Sequence, residues 1–129
     1  NSGTHAKEMN LWKSAEADPK GAKLFHETGL GMGQTLSVAS EKAGYTLSDR
    51  GTYLSMKKGL ALAILREGDK DLLNIYHVIE VNEVKWPKVN VAGAKAFADF
   101  MVSAEAQKLI KKYGIAKYGS PLFFPDGVK

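Results

Sequence analysis

Apolar residues recur at helical spacing in some stretches of the chain and gather into short extended runs in others. Ala6, Met9, Trp12 and Ala15 fall three apart, with Lys7, Glu8, Lys13 and Glu16 on the other faces. That spacing predicts a helix opening just after the small polar residues 1–4, with Thr4 near its cap. Asp18-Pro19-Lys20-Gly21 predicts a turn. Leu24–Thr28 predicts a short strand, residues 29–33 (GLGMG) a glycine-rich loop, and Gln34–Lys42 a helix closed by Ala43-Gly44. The short alternation of Tyr45 and Leu47 stops at Ser48-Asp49, and a helical run with Tyr53, Leu54 and Met56 follows, so Ser48 or Asp49 is its N-cap. Leu60–Leu65 is a buried-strand candidate, and residues 66–71 form a polar turn. Ile75–Asn82, rich in β-branched and aromatic residues, is the strongest strand signal in the chain. Lys85–Asn90, with Pro87, predicts a loop. Val91–Val102 predicts an amphipathic helix, and Ser103 caps a second one whose apolar face is Ala106, Leu109, Ile110 and Tyr113. Gly114 ends that helix. The tail Tyr118–Pro125 is apolar but full of breakers, and is expected to lie pinned on a surface without forming an element.

Length and composition narrow the class. The chain has 129 residues, enough for one domain with a core, and its 44% hydrophobic and 25% charged residues are ordinary for a soluble globular protein. No apolar run approaches the roughly 20 residues that a membrane helix needs. Eighteen Lys and Arg against fourteen Asp and Glu give a net charge of +4. No basic run exceeds Lys57-Lys58 or Lys111-Lys112, so a nucleic-acid surface is not expected. The absence of cysteine excludes disulfides, thiolate metal sites and cysteine nucleophiles. The chain opens on Asn1-Ser2-Gly3-Thr4 with no signal-peptide pattern. The expectation is that a leader was removed or that the chain is part of a longer protein.

Two helix beginnings carry the candidate chemistry. At Ser48-Asp49-Arg50-Gly51-Thr52, a strand end running into a helix start leaves backbone N–H groups unpaired at the positive end of the dipole. Arg50 adds a planar fork of donors there, which suits an anion. The plainer alternative is a surface arginine paired with Asp49 or another carboxylate. Ser2, Gly3 and Thr4 offer hydroxyls and N–H groups at the other helix start, where ordinary capping would also account for them. The GLGMG loop carries little weight as a dinucleotide fingerprint, because the strand before it is weak and no acidic partner is placed about 20 residues on. Its glycines are expected to let a helix N-terminus approach other backbone closely. His77 has no second His or carboxylate at metal-ligand spacing, and a packed, hydrogen-bonded histidine is expected. Neither His26 nor His77 is paired with a nucleophile or an orienting acid, so the chain does not read as an enzyme.

Ser2-Gly3-Thr4-His5 opening a helix, GMGQTLSVASEKAGYTLSDRGTYL, LLNIYHVIEVN and KYGIAKYGSPLFFPDG together resemble the periplasmic tungstate-binding proteins of ABC transporters. The likeness runs over essentially the whole chain, and the YTLSDRGTYL and YGSPLF blocks are specific to that family. The resemblance implies an α/β class II periplasmic-binding-protein fold. One lobe, a mixed sheet flanked by helices, would occupy residues 1–72. A return crossing strand would occupy 73–82, and C-terminal helices belonging to the other lobe 83–129. It implies that the first lobe lies outside this chain, together with an arginine that the family usually carries just before the Ser-Gly-Thr run. By residue match it implies oxyanion binding by Thr4 and Arg50, with Ser2 and Gly3 as supporting donors, and no cofactor or metal. Tungstate and molybdate are tetrahedral dianions that need donors only, so Asp49 should turn away from them. A permease partner, a periplasmic or extracytoplasmic location, and self-association or segment exchange through uncovered apolar faces complete the expectation. An oxyanion-sensing half of a transcriptional regulator, which shares the fold, is the alternative.

Overall fold

The computed structural model describes residues 2–127. The chain divides into two compact units, Asn1–Leu73 and Asn74–Lys129. In the first unit, α1 (Gly3–Ser14) opens at Ser2, whose Oγ accepts the N–H of His5 at 3.2 Å. The cap is therefore Ser2, and Thr4 is the second residue of the helix. A 3-10 turn at Pro19–Gly21 follows, fixed by the Asp18 carboxylate accepting from Lys20 N at 3.0 Å and by the buried Pro19 ring.

The core of this unit is the pair α2 (Met32–Glu41) and α3 (Arg50–Met56). Leu36, Ala39 and Tyr53 are its buried residues. Gly33 allows the close packing, because a Cβ there would stand 3.1 Å from Met56 Sδ. The expected close approach is thus to a side chain of the next helix. At the end of α2 the left-handed residue is Ala43 (φ 48°), and Gly44 N donates to Ala39 O at 2.8 Å. The following segment is tied down by two bonds. Ala61 N donates to Ser40 Oγ at 2.8 Å, and Tyr53 OH donates to Leu62 O at 3.1 Å.

In the second unit, α4 (Val91–Met101) is capped by Asn90, which accepts from Gly93 N, and α5 (Ala104–Lys112) by Ser103, which accepts from Ala106 N. These two helices pack on each other. The buried Gln107 joins them to the tail: its Nε2 donates to Met101 O at 2.7 Å and its Oε1 accepts from Gly127 N at 3.1 Å. The sequence reading missed a single-turn helix, α6 (Ile115–Tyr118), set between Gly114 (φ 90°) and Gly119 (φ 74°). Two glycines with four residues between them leave room for one turn. The tail is pinned as expected: Leu122 N donates to Tyr113 O at 3.0 Å, and the Phe123 ring meets Tyr113 and Tyr76.

The expected mixed sheet does not form. Among the described residues, Leu24–Thr28, Leu60–Leu65 and Ile75–Asn82 carry no strand. A strand is defined by its ladder, and β-branched residues favour a pleated surface only when a neighbour is present to pack on and bond to. Here the side chains of 75–82 are exposed, Ile79 to 83%. His77, expected to be packed, is exposed with them. Val84, Phe97, Leu109 and Tyr113 are further large apolar groups of this unit that face solvent.

Two outcomes follow. Gln107→Leu removes both bonds and leaves a part-buried carbonyl and N–H without their partner, so it should destabilise the chain by about 1–3 kcal/mol. A melting temperature equal to that of the parent would contradict this. The 129-residue chain produced by itself should also self-associate or exchange segments as its concentration rises, since exposed apolar surface of this extent seeks cover. Sedimentation showing one monomeric species over a wide concentration range would count against it.

Candidate functional site

The first unit holds all four residues singled out as anion donors. Ser2, Gly3 and Thr4 are brought together at the start of α1. Ser2 Oγ serves His5 N, and Ser2 O accepts the N–H of Ala6 at 3.1 Å. The N–H groups of Gly3 and Thr4 therefore have no acceptor within the helix, as the geometry of a first turn requires. Thr4 is half-buried, while Ser2 and Gly3 are exposed. Its neighbour His5 stands between two carboxylates, Glu8 at 3.8 Å and Glu27 at 3.9 Å.

Arg50 is the first residue of α3. The cap is Asp49, whose Oδ2 accepts from Thr52 N at 2.8 Å, while Ser48 Oγ donates to Asp49 O. The Asp49 carboxylate is engaged by the helix it starts. Glu67 places a carboxylate beside the guanidinium, its Oε2 accepting from Arg50 Nη1 at 3.0 Å. Sequence reading left open whether Arg50 meets Asp49 or another carboxylate, and it did not single out Glu67. No local signal could have found it, because the two residues are 17 apart and neither lies in a shared periodic element.

The turn carrying Glu67 is well braced. Gly68 takes a left-handed backbone (φ 75°). Asp69 receives the Arg66 guanidinium and, at 3.1 Å, the N–H of Asp71, capping the 3-10 turn Lys70–Leu72. The Arg66 hydrogen bond, aided by the Asp71 N–H, holds the Asp69 carboxyl below the usual carboxylate range. Arg66 and Asp69, with Asp71 and Leu72, line a shallow hollow together with Leu11 of α1. One turn thus holds the guanidinium of Arg50 and flanks the helix that bears Thr4, at a point about 10 Å along its axis from Thr4. Among the described residues, no cluster of three His, Asp or Glu side chains could hold a metal ion.

The chain as a whole is similar to known proteins. Residues 1–105 match the family described as the PBP superfamily domain, and the chain belongs to that family. It is 48% identical over 128 residues to the tungstate-binding protein TupA of Peptoclostridium acidaminophilum, covering 99% of this chain and 44% of that protein. Among solved structures, the tungstate-binding protein TupA from Desulfovibrio alaskensis G20 is 41% identical with a TM-score of 0.80, covering 98% of this chain and 52% of that one. The tungstate ABC transporter from Geobacter sulfurreducens is 38% identical with a TM-score of 0.68, covering 87% and 47%. The chain spans about half the length of the relatives it matches. The periplasmic-binding-protein fold class expected from the sequence therefore holds, although the described residues form no sheet.

Proposed function

We propose that this chain supplies one side of an oxyanion site in a solute-binding component of an ABC importer. Its ligand is tungstate, with molybdate as the second anion of the same charge and shape. The observation that carries this reading is the placement of Thr4 and Arg50. Each lies in the first turn of a helix, both belong to one compact unit, and a single braced turn adjoins both helices. The relatives named for tungstate support the choice of ligand.

Each donor has a distinct part. The Thr4 hydroxyl and N–H, with the Gly3 N–H and the Ser2 hydroxyl, would bond oxyanion oxygens at the positive end of α1. Arg50 would supply charge and two N–H bonds in a fixed fork. Every contact offered is a donor, which matches an anion that carries no proton near neutral pH. Binding and release involve no covalent step, and neither metal nor cofactor takes part. The bound anion would be handed to a permease, from a periplasmic or extracytoplasmic location. Among the described residues, no helix is long and apolar enough to cross a membrane.

In the full-length protein, Arg50→Ala should weaken tungstate binding by about 2 kcal/mol or more, the contribution of a hydrogen-bonded charge. Titration calorimetry giving an affinity within error of the parent would refute the assignment.

A further inference from the structure

Glu67 has a place in the site that the donor set alone does not explain. It reaches Arg50 from a different part of the chain, across a turn whose backbone is fixed on its far side by Gly68 and by the Asp69 bonds. Asp69 answers Arg66, so the turn presents Glu67 separately to Arg50. Its side chain is 61% exposed, against 30% for Arg50. A carboxylate and a tetrahedral oxyanion use the same N–H groups of a guanidinium, so both cannot fill the same edge of it at once.

We propose that Glu67 is the internal occupant of the Arg50 anion position, bound there when the site is empty and released to solvent when the oxyanion arrives. This rests on the reading of Arg50 as an anion ligand. The exchange is cheap because an exposed ion pair contributes little, and the freed carboxylate regains water. Glu67 holds the guanidinium on station without locking it. Its carboxylate competes with the ligand and so lowers the affinity of the site. Glu67 is therefore a positioning residue that tunes affinity, and it makes no contact with the bound anion.

A double-mutant cycle in the full-length protein, read by tungstate titration, tests this. Glu67→Gln should tighten binding about two- to fivefold, the release of one exposed ion pair. In an Arg50→Ala background the same substitution should change nothing, because there is no longer a guanidinium to contest. Arg50→Ala weakening binding while Glu67→Gln leaves it unchanged or weaker would overturn the exchange and leave the anion role of Arg50 intact. An equal gain in both backgrounds would mean general charge repulsion, and would also overturn it. An Arg50→Ala protein that binds as well as the parent would remove the anion reading itself, and this proposal with it.

Discussion

The first turn of a helix has more N–H groups than acceptors, and that imbalance organises the first unit of this chain. One cap satisfies one donor. Ser2 takes the N–H of His5, and Asp49 takes the N–H of Thr52. The remaining first-turn N–H groups, such as those of Gly3 and Thr4, have no acceptor within the helical ladder. A helix of seven residues such as α3 has a weak dipole of its own. The guanidinium at its first position supplies the charge that its backbone cannot.

Donor-only surroundings select against acceptors as well as for anions. The carboxylate closest along the chain to Arg50 is Asp49, and a free carboxylate there would repel a dianion. Its Oδ2 accepts the N–H of Thr52, which holds that carboxylate at the helix start. Glu67 is a different case. It comes from a remote turn, carries no obligation to a helix, and can leave for water. One carboxylate is fixed by the backbone and the other is exchangeable. The difference follows from what each accepts: a first-turn backbone N–H in one, a side-chain cation in the other.

Much of the helical framework of both units was legible in the sequence because its signals are local. The Ser-Asp pair before Arg50, the Leu36 and Ala39 spacing, Asp18-Pro19 and the Ser103 cap each act within four residues, and each forms as read. The strands were not legible as an outcome. The run Ile75–Asn82 has the composition of a strand, but pairing depends on a neighbour, and composition cannot supply one. Residues with strand propensity and no partner end with their apolar side chains in solvent. The same logic accounts for His77, whose expected packing depended on that sheet. Glu67 escaped for another reason: a 17-residue separation is a tertiary fact with no period to betray it. Ser2, Gly3 and Thr4 are proposed as donors on the family likeness, because their residue types alone fit ordinary capping.

The account stands on convergence of the α1 and α3 beginnings upon one dianion. The most direct measurement is a crystal structure of the full-length protein with tungstate, the metal located by its anomalous scattering. The account predicts tungstate oxygens within hydrogen-bond distance, about 2.7–3.2 Å, of both the Thr4 hydroxyl or N–H and the Arg50 guanidinium. A tungstate that touches only one of these residues, or sits elsewhere with both in solvent, would contradict it.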